Sequence, residues 1–95
     1  MSVIIAAFNE EESIKKKIEN SISLKYPEEK KEIIVVSDGS TDNTNQIINI
    51  FKGQLNFNPI ILEENQGKTN AVNRAMEIAK GEIIVFTDAN VILEE

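Results

Sequence analysis

Two apolar runs of four residues, Ile33-Ile34-Val35-Val36 and Ile83-Ile84-Val85-Phe86, are each followed closely by an acidic segment. These segments are Asp38-Gly39-Ser40-Thr41-Asp42 and Asp88-Ala89-Asn90. A branched apolar run without polar alternation suits a strand buried on both faces, the condition of a parallel strand covered by helices. Open α/β sheets hold their ligands at the carboxyl ends of such strands. The chain therefore states one arrangement twice: a buried strand delivering carboxylates to a ligand-binding rim.

The segments between these runs set the topology. Val3 to Ala7 reads as a short first strand, after which Asn9 can cap a helix whose acidic first turn, Glu10 to Glu12, suits the positive end of the helix dipole. Ile14, Ile18 and Ile22 give that helix an apolar stripe, and Tyr26-Pro27 ends it before a strand from Glu32 to Ser37. A second helix fits Asn43 to Lys52, with Ile47, Ile48 and Phe51 inward. Asn58-Pro59 opens a third strand, Ile60 to Glu63, where a leading proline sacrifices no central ladder bond. Lys68 to Lys80 carries Ala71, Val72, Ala75, Met76 and Ala79 at helical spacing, Gly81 suits a left-handed cap, and Glu82 to Thr87 forms the fourth strand.

The order β-α-β-α-β-α-β with short connections predicts one α/β domain over residues 1–95, a three-layer Rossmann-like parallel sheet with right-handed crossovers. With strand order 3-2-1-4, Phe8, Asp38, Glu64 and Asp88 emerge along one rim. The winding reverses between strands one and four, opening a crevice flanked by Phe8 to Glu10 and by Asp88 to Asn90. Strand four then lies at an edge, where Ile83 to Phe86 offers a surface for self-association.

Composition narrows the partners. A chain of 95 residues, 41% hydrophobic, builds one small layered domain. Its formal charge of -6, and the interleaving of Lys15 to Lys17 and Lys30-Lys31 with glutamates, argue against nucleic acid, which requires clustered uncompensated cations. The absence of cysteine excludes a disulfide framework and a thiolate metal site. No apolar run approaches the ~20 residues that span a bilayer, and Met1-Ser2 leads into a strand rather than a basic leader. The expectation is a cytoplasmic chain, with any membrane attachment supplied by segments of a longer parent.

Each motif admits a structural and a chemical reading. Asp38-Gly39-Ser40-Thr41-Asp42 suits an Asx-type turn capped by Thr41 or Asp42, and equally a binding loop. It is not an EF-hand, because counting from Asp38 the sixth position is Asn43 and the twelfth is Asn49. Gly67-Lys68-Thr69 resembles the end of a phosphate-binding P-loop, but Leu62 stands where that loop needs its first glycine. What remains is a helix start whose free amides and Lys68 suit an anion, or a surface lysine. Asp88 and Asn90, two residues apart, offer oxygen ligands to a hard cation such as Mg²⁺ or Mn²⁺, or simply end a strand. Unit charges about 6 Å apart repel by roughly 3 kcal/mol at an effective dielectric of 20. A diphosphate beside Asp88 and Glu10 would thus need a cation.

Four ordered blocks carry a family resemblance. They are Ser2 to Glu11, Glu32 to Asp42, Asn65 to Asn73 and Gly81 to Asn90. Together they resemble the successive blocks of family 2 glycosyltransferases, in the sugar-nucleotide-binding half of that family's GT-A fold. The resemblance implies that Phe8 packs on the nucleotide base and that Ala6, Ala7 and Glu10 hold base and ribose. It further implies that Asp38 accepts a hydrogen bond from the base, as from uracil N3–H of a UDP-sugar, and that Lys68 lies near base or diphosphate. Asp88 would contact ribose or metal, Ala89 would belong to the nucleotide-binding set, and Asn90, taking the last place of an Asp-x-Asp motif, would share the metal with Asp88. Asn90 is neutral where the family has an acid, and Ala6 stands where it often has proline. The family's catalytic base and acceptor site would follow Glu95, so the implied activity of this chain is donor binding without turnover. Alternatives of other classes are a non-catalytic nucleotide-binding module, a metal-dependent nucleotidyltransferase and a structural interaction domain.

Overall fold

The computed structural model describes residues 1–23, 31–54 and 56–88, with Asp88 described by its backbone only. Four strands, β1 (Ser2–Ala7), β2 (Glu32–Asp38), β3 (Phe57–Leu62) and β4 (Ile84–Asp88), alternate with helices α1 (Ile14–Ile22), α2 (Thr44–Ile50) and α3 (Lys68–Ile78). All strand pairs are parallel, as the alternation of strands and helices predicts, and the order is the expected β3-β2-β1-β4.

The faces of β1 and β2 explain the layers. Val3, Ile5 and Ala7 with Ile33 and Val35 pack against Ile14 and Ile18 of α1 and Ile48 of α2. The alternate residues Ile4, Ile34 and Val36 pack against Ala71 and Ala75 of α3. Side chains alternate along a strand, so central strands with helices on both faces must be apolar throughout, and Val3 to Ala7 and Ile33 to Val36 obey this. The Ile83–Phe86 run, expected to be buried on both faces, is corrected: it lies at the sheet edge, with Ile83 and Phe86 exposed. On the α3 side the helix presents alanines, which allow it to lie close to the sheet.

Several local expectations are corrected. Asn9 does not cap α1: the helix starts at Ile14 behind Ser13, with no side-chain cap and no acid in its first turn. Glu10 to Glu12 instead form the preceding turn, closed by Ser13 and Ile14 N–H groups donating to the Glu10 carbonyl at 3.0 and 2.8 Å. Tyr26-Pro27 lies outside the described residues, and α1 ends at Ile22. β3 begins at Phe57 rather than Ile60, so Pro59 stands inside the strand opposite Val35. An edge strand tolerates this when the proline nitrogen faces away from the ladder. Gly81 is not a left-handed cap, since the positive-φ glycines are Gly39 and Gly67. Its role is close approach: a Cβ there would stand 2.6 Å from both the nitrogen and Oγ of Ser2.

β4 occupies the edge beside β1, with Ile83 and Phe86 each more than half exposed. Among the described residues no helix is long and apolar enough to cross a membrane.

Ile34 is fully buried in the central sheet. Ile34→Ala is expected to cost about 2–5 kcal/mol in urea unfolding. Ile50→Ala, at a site 72% exposed, should stay within about 0.5 kcal/mol of the parent.

Candidate functional site

The carboxyl ends of β1 and β2 and the start of α3 enclose a cavity of about 230 Å³ lined by Ala6, Ala7, Phe8, Glu10, Asp38, Lys68 and Ala71. The register creates it. Ala6 lies opposite Val36, so Asp38, two residues on, rises from the same face of the sheet just beyond the end of β1. β1 stops at Ala7, and the chain turns there because Asn9 adopts a left-handed conformation at φ 51°. Phe8 is left 46% exposed at the cavity. A smaller cavity of about 100 Å³ on the same face reaches β4 and is lined by Ile4, Ala6, Lys68, Val72, Phe86 and Thr87. Ala6 and Lys68 belong to both, so the site extends toward the β1–β4 switch point.

A larger cavity of about 500 Å³ lies at the opposite rim, lined in part by Met1, Glu32, Phe57 and Gly81. There Glu32 is already engaged by the Ser2 hydroxyl at 2.6 Å and the Lys80 N–H at 2.5 Å. The carboxyl rim, where acid, base and aromatic converge, is the better candidate.

Asp38 is the most constrained group in the site, only 4% exposed. Its Oδ1 accepts the Gln66 N–H at 2.7 Å, and its Oδ2 accepts the Gly67 N–H at 3.0 Å and Asn65 Nδ2 at 3.2 Å. Asn65 Nδ2 also donates to the Asp38 carbonyl at 3.1 Å. A buried carboxylate is tolerated when donors replace water, and the β3–α3 loop supplies them. A carboxylate offers about four acceptor sites. Three are used here, and Oδ1 keeps capacity for one more donor. The Gln66 and Gly67 amides, which precede the first residue of α3, are held by Asp38. Gly39 makes the approach possible: its φ is +72°, and a Cβ would stand 2.2 Å from the Asn65 nitrogen.

The turn after β2 is tied to the turn after β1. Asn9 Oδ1 accepts the Thr41 N–H at 2.7 Å, and the Asn9 N–H donates to Ser40 Oγ at 3.1 Å. The Glu10 N–H donates to Thr44 Oγ1 at 2.9 Å, and the Glu11 N–H to Asp42 Oδ2 at 3.4 Å. Asp42 Oδ1 accepts from both the N–H and the hydroxyl of Thr44, the first residue of α2. The expected cap is thus made by Asp42 one residue ahead of the cap position, which Asn43 occupies without a side-chain bond. Desolvation pushes the Asp42 carboxyl pKa up, but the bonds from the Thr44 side chain and backbone, and then from the Glu11 and Asp42 backbones, outweigh it. The net direction is down.

Of the sequence-derived site residues, Ala6, Ala7, Phe8, Glu10, Asp38 and Lys68 line one cavity. The backbone of Asp88 lies opposite Ala6 at the end of β4. Ala89 and Asn90 lie outside the described residues. Among the described residues no group of three or more acids brings together a metal site. Sequence reasoning missed Ala71, which floors the cavity, and the polar ties of Asn9, Asn65 and Thr44. The signal for Asn9 is its tolerance of left-handed backbone, which few residue types share.

The sequence model of glycosyl transferase family 2 matches residues 2–95. The chain belongs to glycosyltransferase family 2. It is 39% identical to the poly-beta-1,6-N-acetyl-D-glucosamine synthase of Staphylococcus epidermidis, over all of this chain and 23% of that protein. Its fold matches mannosyltransferase PcManGT from Pyrobaculum calidifontis, solved in complex with GDP-Man and Mn²⁺, with TM-score 0.90 and 34% identity over 96% of this chain and 27% of that one. It also matches S. aureus TarS in complex with UDP-GlcNAc, with TM-score 0.82 and 34% identity over 94% and 26% of the two chains. The chain spans about a quarter of the length of these relatives. The parallel 3-2-1-4 sheet is that of the GT-A members of glycosyltransferase family 2.

Because the Asp42 pKa is depressed on folding, its contribution to stability is present at neutral pH, above the unfolded carboxyl's pKa. It is lost as pH falls through the lower folded value. The stability difference between the parent and Asp42→Asn should therefore shrink on acidification in urea titrations from pH 7 to pH 3.

Proposed function

We propose that this chain is the donor-binding half-site of an inverting glycosyltransferase that moves a sugar from a nucleotide-diphosphate sugar, preferentially a UDP-sugar, to an acceptor hydroxyl. The observation that carries this reading is the single cavity formed by Phe8, Glu10, Asp38 and Lys68 at the carboxyl rim. Phe8 offers an aromatic face to the base. Asp38, with its remaining acceptor capacity, suits an imide N–H, which uracil presents. Glu10 at the cavity mouth suits ribose hydroxyls, and Lys68 suits phosphate oxygens.

The family membership and the relatives named above support the same reading. One of those relatives was solved with GDP-Man and Mn²⁺ and another with UDP-GlcNAc. The cavity brings Glu10 and Asp38 against Lys68, so an incoming diphosphate adds negative charge to a site already rich in it. A divalent cation, Mg²⁺ or Mn²⁺, is therefore part of the proposal, held by Asp88 and Asn90, with Ala89 between them. Bound there, it would neutralise the diphosphate leaving group. The chain's own residues bind and orient the nucleotide; none of those in the cavity is assigned as the base that deprotonates the acceptor. Glycosyl transfer by residues 1–95 alone is expected to be undetectable in a radiolabelled-donor assay.

The experiment is an amide NMR titration with UDP and GDP in Mg²⁺. Saturable shifts at Phe8, Asp38 and Lys68 with UDP are expected, and a folded spectrum that ignores both nucleotides would overturn the reading. Phe8→Ala should weaken UDP about tenfold or more, since base–aromatic stacking contributes about 1–3 kcal/mol. EDTA should weaken the binding of UDP while leaving uridine unaffected, and equal affinity with and without it would remove the cation from the proposal.

A further inference from the structure

We propose that Asn9, which does not line the cavity, is a positioning residue for the nucleotide, through a side-chain latch that holds Phe8 and Glu10 against the strand carrying Asp38. This rests on the donor-site reading given above. Phe8 and Glu10 line the cavity while Asn9 between them faces the β2–α2 turn. Its φ of 51° reverses the chain direction after β1. Asn, Asp and Gly adopt that backbone readily, whereas other residues resist it. Its Oδ1 gathers three donors, the Thr41 N–H at 2.7 Å, the Thr41 hydroxyl at 3.4 Å and the Asp42 N–H at 3.4 Å.

The backbone of Asn9 extends the latch inward. Its N–H donates to Ser40 Oγ at 3.1 Å, Ser40 and Ser37 hydroxyls lie 2.8 Å apart, and Ser37 reaches Asn45 Oδ1 at 2.5 Å. An amide oxygen only accepts, so Ser37 must donate to Asn45 and Ser40 to Ser37. The donors thus run in one direction, from the β1–α1 turn to Ser37, which is fully buried on β2 beside Asp38. The aromatic and the carboxylate that would meet the two sides of a base are held to one frame by a residue that would touch neither base nor phosphate.

Asn9→Gly keeps the left-handed backbone accessible and removes the acceptor, while Asn9→Asp restores an acceptor oxygen in a residue that also tolerates this conformation. In the 95-residue chain, Asn9→Gly is expected to speed amide exchange at Thr41 about tenfold and to weaken UDP about tenfold, with Asn9→Asp recovering most of both. Faster exchange with unchanged UDP affinity would reduce Asn9 to a structural role and overturn the proposal, as would unchanged exchange. If the unsubstituted chain ignores UDP, the donor-site reading falls first and this role with it. That failure is recognised because it precedes any substitution.

Discussion

The covering of β1 and β2 on both faces is the constraint from which the rest follows. With α1 and α2 on one side and α3 on the other, neither strand has a face left for a ligand. Binding chemistry is displaced to the strand ends, where backbone leaves the sheet and side chains meet solvent. The carboxyl rim is the favoured end, since there Asp38 and Phe8 emerge side by side and the start of α3 arrives with Lys68.

The second requirement is electrostatic. Asp38 is buried at that rim, and a carboxylate removed from water needs replacement donors. The β3–α3 loop provides them with two backbone amides and the Asn65 side chain. The same contact fixes where α3 begins, and hence where Lys68 stands. One group thus organises the loop and faces the cavity, which couples the shape of the site to its charge.

The layers, the parallel pairing and the rim position of Asp38 were legible in the sequence because they depend on patterns that survive in one dimension: apolar runs, helical spacing and acids at strand ends. Ala6 and Ala7 were reached only through the resemblance to family 2 glycosyltransferases. Helix starts and caps were not legible. Asn9 has the composition of a cap, but its backbone turns left-handed and its side chain bonds a loop 32 residues away. Gly81 has the position of a cap, yet it is required by the proximity of Ser2, a contact across 79 residues. The Gln66 and Gly67 amides just ahead of α3 are taken by Asp38, which nothing local shows. In each case a distant partner overrode a sound local preference.

Pro59 gives the sheet a polarity across its width. Inside β3, it leaves one position on the outer margin of that strand with no hydrogen to offer. A further strand docking there would meet a gap in its ladder, while the far side of the sheet, beside exposed Ile83 and Phe86, carries no such interruption. Enlargement of this sheet, by whatever polypeptide supplies the next strand, is thereby biased to proceed outward from β4 and not from β3.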